Sequence, residues 1–72
     1  MSIVTSVHVM LNGEEHEVPV GSTVADLVRL LELDRRRVAV EVNREIVARE
    51  AYAERSLREG DALEIVHFVG GG

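Results

Sequence analysis

Cysteine and lysine are both missing from this chain. Without cysteine there is no disulfide framework, no thiolate zinc site, no catalytic thiol and no persulfide carried on a side chain. Without lysine, the eight basic residues are all arginines, set against thirteen acidic residues for a net charge of −5. An acidic chain lacks the cationic surface that broad nucleic-acid binding needs to neutralise phosphates. Tyr52 and Phe68 are the two aromatic residues, too few to stack a run of bases. The longest apolar run falls far short of a membrane span, so no membrane association is expected. Residues 2–6 carry neither basic residues nor a cleavable small-residue site, so no secretory leader is expected and the expected location is cytoplasmic. One proline and six glycines are too few for a disordered composition. What remains is 72 residues, 46% of them hydrophobic, enough for one small apolar core.

No linker or repeat divides residues 1–69, so they are read as one domain, with residues 70–72 as a flexible glycine tail. Residues 3–11 are rich in β-branched side chains and run into Asn12-Gly13. Both central positions of a type I′ turn need positive φ, so Asn-Gly between two extended runs predicts a tight hairpin. A two-residue turn pairs Leu11 with Glu14, Val9 with His16, Val7 with Val18 and Thr5 with Val20. Cross-strand partners share a face. Val7, Val9, Leu11, Val18 and Val20 therefore fall on one side, and Ser6, His8, Glu15 and Glu17 on the other. The turn and the apolar pattern agree independently on that register.

Gly21 ends the second strand, and Ser22 or Thr23 offers a hydroxyl to cap a helix. Thr23 with Asp26 three residues on has the spacing of a capping box. Val24, Leu27, Val28 and Leu31 then follow at i, i+3, i+4 and i+7, one helical face. Arg35, Arg36 and Arg37 close that segment as cations at a helix C-terminus, or form a docking patch for an acidic partner. Residues 38–42 read as a strand covered on both faces. Asn43-Arg44-Glu45 reads as a turn into a short strand at Ile46-Val47, and residues 48–57 as irregular or one helical turn. Glu59-Gly60-Asp61 precedes a last strand over residues 62–69. This order predicts an α+β fold: a mixed four- to five-stranded sheet with one main helix packed on one face. The first and last strands are expected side by side, parallel, at the centre.

Catalytic constellations are thin. His8, His16 and His67 have no metal-ligand spacing, so no metal site is expected. Ser22 and Ser56 lack a nucleophile elbow, and Ser22 is accounted for by capping. No glycine-rich loop leads into a helix to hold phosphates. The chain does not read as an enzyme. The informative feature is the end, where Gly70, Gly71 and Gly72 follow a strand directly. Three extended residues reach about 10 Å. Such a tail threads a narrow channel and carries its carboxylate into another protein's active site, or is merely a frayed terminus or cloning remnant. In the last strand, Leu63, Ile65, His67 and Val69 point one way and Ala62, Glu64, Val66 and Phe68 the other. Val66 and Phe68 then form an apolar pair beside the tail, suited to docking. The alternative is that Phe68 closes a second small core under residues 48–57.

The whole chain resembles a β-grasp, ubiquitin-like sulfur carrier, most nearly the ThiS family of thiamine-biosynthesis sulfur carriers. The matching pieces are Leu11-Asn12-Gly13-Glu14, Gly21-Ser22-Thr23-Val24-Ala25-Asp26-Leu27, Val38-Ala39-Val40-Glu41-Val42-Asn43 with Ile46-Val47, Glu59-Gly60-Asp61, and Ile65-Val66-His67-Phe68-Val69-Gly70-Gly71-Gly72. The last piece is the most specific. Ala48 departs from the proline often found there in the family, and this touches only a loop.

The resemblance implies that a ThiF-like adenylating enzyme uses ATP to activate the Gly72 carboxylate as an acyl adenylate. Sulfur from a cysteine desulfurase route displaces AMP and leaves a thiocarboxylate, which a ThiG-like thiazole synthase consumes in building the thiazole ring of thiamine. On the residues themselves, Gly70 and Gly71 are expected to thread the partner's active site and Val66, Phe68 and Val69 to dock the partner. No cofactor is expected to be bound, and the free carrier is expected to be a monomer. Without cysteine or lysine the chain has no thiol or side-chain amine to trap its own activated end. Readings that compete are a carrier for molybdopterin synthesis, a protein-conjugating modifier, and an interaction module with an inert tail.

Overall fold

In the computed structural model, residue 3 and residues 5–68 are described. The Asn12-Gly13 turn forms as the sequence predicts, with φ of 50° and 83°. It joins β1 (Ser6–Leu11) to an antiparallel β2 (Glu14–Pro19). Val7 faces Val18, Val9 faces His16 and Leu11 faces Glu14, the expected register. Val20 is the exception on the apolar side and is 56% exposed. β1 begins at Ser6 and β2 ends at Pro19, so Val20 stands past the paired end of the ribbon, although its N–H still reaches Thr5 C=O.

Helix α1 (Val24–Leu30) starts with the capping box, both of whose bonds form. Asp26 N–H donates to Thr23 Oγ1 at 3.2 Å, and Thr23 N–H donates to Asp26 Oδ2 at 2.9 Å. Ser22 is buried and does something else: its hydroxyl donates to Pro19 C=O at 2.7 Å and tightens the turn before the helix. The first helical amides are met by the loop over residues 48–57, since Val24 N–H reaches Arg55 C=O and Ala25 N–H reaches Tyr52 C=O, each at 2.9 Å. That loop holds a short 3-10 turn, Arg49–Ala51, as expected.

The helix stops at Leu30, earlier than the arginine triplet suggests. Glu32 takes a left-handed φ of 58°, which ends the spiral and lets Leu33 N–H turn back to Val28 C=O. The arginines therefore do not cap α1. Arg35–Arg37 form a separate 3-10 turn that opens on Asp34, whose carboxylate takes the Arg36 backbone N–H at 2.9 Å and its guanidinium at 3.2 Å.

β3 (Val38–Val42) pairs antiparallel with β4 (Glu45–Val47) on one edge and with β5 (Ala62–His67) on the other. The sheet order is β2-β1-β5-β3-β4, with β1 and β5 parallel at the centre. β3 is covered on one face only, contrary to expectation. Val38, Val40 and Val42 are buried while Ala39 is exposed and Glu41 half-buried, because the single helix has one sheet face to cover. Val24, Leu27 and Val28 of α1 pack with Val7, Val9, Leu11, Val18, Val38, Val40, Val42, Leu63 and Ile65 into one core, joined by Tyr52 and Leu57. The architecture is the α+β sheet with one main helix that the sequence predicts.

Candidate functional site

β5 is the element that leads to the C-terminal glycines, so its surroundings define the site. Its start is fastened by the β3–β4 turn. That turn is also left-handed at both centres, Asn43 at φ 52° and Arg44 at φ 69°. Asn43 Oδ1 accepts from Ala62 N–H at 3.0 Å, and its Nδ2 donates to Asp61 Oδ1 at 3.0 Å. Asp61 is buried and also accepts from Arg58 N–H at 2.8 Å, with Arg55 Nη1 3.7 Å away. A buried carboxylate met by this many donors locks the loop before β5 in place. The middle of β5 is held by the other turn: Asn12 Oδ1 accepts from Ile65 N–H at 2.9 Å, and Asn12 Nδ2 donates to Ile65 C=O at 3.2 Å.

Sequence reasoning used Asn12 and Asn43 only as turn formers and missed these bonds. Each sits at the first position of a left-handed turn, which asparagine tolerates because its short amide finds local partners. The same amide then reaches the strand beside it. The available signal was an asparagine at the head of each of two tight turns, which point in opposite directions along the sheet because β1 runs parallel and β3 antiparallel to β5.

Leu63 and Ile65 face the core, and Ala62, Glu64 and Val66 face away from α1, the alternation the sequence predicts. Phe68 and Val66 are each 56% exposed, which settles the open alternative: Phe68 closes no second core. Ala39 lies directly across from Val66, and Phe68 N–H donates to Arg37 C=O at 2.7 Å. Register carries the apolar face further, to Ala62 beside Met10, which is 40% exposed. Val69, Gly70, Gly71 and Gly72 lie outside the described residues, as does the expected domain boundary between residues 69 and 70.

A pair of carboxylates interrupts this apolar stripe between Ala62 and Val66. Glu41 sits directly across from Glu64, and neither makes an ion pair among the described residues. Like charges directly opposite destabilise a sheet. On the β1–β2 side, His8 Nε2 lies 3.6 Å from Glu17 and 4.0 Å from Glu15, and His8 Nδ1 lies 3.4 Å from Glu59. All of these side chains are about half exposed or more, and among the described residues no group of His, Asp and Glu has the arrangement of a metal site. No helix among them is long and apolar enough to cross a membrane. The open face thus offers contact area and negative charge. At its β1–β2 edge the Ser6 hydroxyl donates to Glu17 Oε2 at 2.8 Å, an exposed bond between neighbouring strands.

Residues 9–72 match the family model described as "ThiS family". The sulfur carrier protein ThiS of Bacillus subtilis is 48% identical over 50 residues, covering 69% of this chain and 76% of that protein. A thiazole synthase of Paramagnetospirillum magneticum is 48% identical over 63 residues, or 88% of this chain. The chain spans only 19% of the length of that synthase. Among solved structures, the thiamine biosynthesis protein ThiS of Geobacter metallireducens superposes with a TM-score of 0.77 at 32% identity, over 92% of this chain and 100% of that one.

Proposed function

The chain belongs to the ThiS family, and from that premise we propose that it is a sulfur carrier for thiamine biosynthesis, acting through the Gly72 carboxylate. The observation that carries this reading is the family match across residues 9–72, which runs through the glycines to the last residue of the sequence. A thiazole synthase is the consumer we favour, because two relatives at 48% and 44% identity bear that name. The chain itself is a co-substrate and does no chemistry of its own.

The proposed cycle begins with an ATP-using, ThiF-like adenylating enzyme. A Gly72 carboxylate oxygen attacks the α-phosphorus of ATP, and pyrophosphate leaves. A carboxylate is a poor electrophile, and AMP is the good leaving group that the activation provides. The terminal sulfur of a persulfide, formed by a cysteine desulfurase route, then attacks the acyl carbon and AMP departs. Cleavage of the sulfur–sulfur bond by a thiol supplies the two electrons that free the thiocarboxylate. Gly70 and Gly71, without side chains, let the backbone enter a narrow active site. Val66 and Phe68, with Val69 next in sequence, supply the apolar centre of the docking surface, and the carboxylates around it favour a partner rim bearing arginine or lysine.

Intact-mass measurement tests this after incubation with ATP, an adenylating enzyme and a sulfur donor. Replacement of one terminal oxygen by sulfur is the expected result. A ladder of heavier conjugates would support a protein modifier instead, and an unchanged mass would leave an interaction module.

A further inference from the structure

β1 ends at Leu11 because the chain turns there, but β5 continues. The parallel ladder between them has regular rungs: Met10 N–H to Asp61 C=O at 2.8 Å, then Asn12 N–H to Leu63 C=O at 2.9 Å. The next rung would pair the N–H and C=O of Ile65 with backbone groups of a continuing β1. Those groups have been diverted into the hairpin, where Leu11 pairs with Glu14. The Asn12 carboxamide takes their place. It is chemically a peptide group, and it meets Ile65 as a peptide would, accepting at 2.9 Å and donating at 3.2 Å. Past Ile65, the bonds to β5 among the described residues all lie on its β3 side, through the Val66–Ala39 pair and the Phe68 N–H to Arg37 C=O bond. Among the described residues, Asn12 makes the last hydrogen bond to β5 on the β1 side before the chain reaches residues 69–72.

We propose that Asn12 is a positioning residue for the reactive end of the carrier. Its amide fixes how β5 leaves the sheet, and so how Val66, Phe68 and the residues after them meet the adenylating enzyme. This rests on the sulfur-carrier reading above. Aspartate cannot substitute: it would accept from Ile65 N–H but turn its other oxygen on the Ile65 carbonyl. Glycine would keep the left-handed turn and remove both bonds. Without the rung, the end of β5 is held along one edge only. A carrier that spends part of its time out of register with its partner binds more weakly by that fraction, while turnover from the bound state is unaffected. The loss therefore falls on KM and leaves kcat alone.

The test compares Asn12→Gly with Asn43→Gly in the full chain. Asn43→Gly removes two side-chain bonds from the start of the same strand and serves as the stability control. Asn12→Gly is expected to speed amide exchange at Ile65 by about tenfold or more, with Val9 and Val40 unchanged. It should raise the KM of the adenylating enzyme for the carrier about threefold or more, with kcat retained. Asn43→Gly should lower the melting temperature at least as much, yet leave exchange at Ile65 and KM at wild-type values. Unchanged exchange at Ile65 in Asn12→Gly, or an equal KM rise in both variants, would overturn the proposal. A wild-type chain that is adenylated while Asn12→Gly matches it in every readout sinks this proposal alone. A wild-type chain that is never adenylated sinks the sulfur-carrier reading and the proposal with it.

Discussion

Val38, Val40, Leu63 and Ile65 face α1 and are buried, while Ala39, Glu64 and Val66 sit between them in the same strands, face the other way and stay exposed. One set of backbone bonds supports both faces, yet the two spend their side chains differently. On the covered face nearly every position is a branched aliphatic, because a small domain needs all the apolar burial it has. On the open face Val66 and Phe68 remain in water and Glu41 confronts Glu64, arrangements that cost stability in the isolated chain. Burial accounts for the side chains of the covered face and leaves those of the open face unaccounted for.

The comparison can be broken from the covered side first. Leu27 is 1% exposed, and Leu27→Ala should lower unfolding free energy by about 3 kcal/mol. Chemical denaturation would measure this; a loss under about 1 kcal/mol would mean that the helix is not what the sheet packs on. Next in size, Thr23→Ala removes the helix cap and should cost about 1 kcal/mol in the same assay.

Phe68→Ala should change stability by no more than about 0.5 kcal/mol, as exposed positions do, while weakening binding to the adenylating enzyme several-fold in calorimetry. A large stability loss with unchanged affinity would erase the distinction between the faces. Glu64→Gln removes one of two opposed carboxylates and should raise stability by a few tenths of a kcal/mol. Its partner affinity should become less salt-dependent if the rim charge steers docking.

Acid sharpens the comparison least. The Thr23 backbone N–H and hydroxyl region hold Asp26 below its ordinary value of 3.8, and the Arg36 side chain and backbone N–H do the same for Asp34. Both folded values are depressed, so the stability they contribute is present above the ordinary carboxylate range and is lost as pH falls through the lower folded values. Denaturation midpoints measured between about pH 5 and pH 2 should decline over that window, with a smaller decline in Asp26→Asn.

Much of this was legible in the sequence because turn and periodicity reinforced each other. Asn12-Gly13 and the alternating valines independently demanded one register, and Thr23 with Asp26 announced the helix start. What escaped had no local signature. The end of α1 depends on Glu32 taking a left-handed φ, which its residue type does not advertise. Arg35–Arg37 resembled a helix terminus because charge alone does not distinguish a cap from a separate 3-10 turn. The five residues of β3 looked covered on both sides because alanine at 39 is apolar without needing to be buried. At the candidate site, Val66 and Phe68 were readable from alternation, but the Asn12–Ile65 and Asn43–Ala62 bonds join residues 53 and 19 positions apart. Such partners become visible only once the strand order is known.

β5 comes fifth in the chain and third in the sheet, wedged between β1 and β3. The two hairpins on either side share no edge until it arrives. During synthesis they emerge early and wait, each able to form within its own short loop, whereas the seam that unites them is written last. A product broken off before residue 62 would therefore keep α1 and both ribbons but lack the strand that joins them, leaving two unpaired sheet edges. In such a design the sheet closes only when the strand that leads to residues 69–72 has been made, so a shortened copy lacks both the seam and the glycines after it.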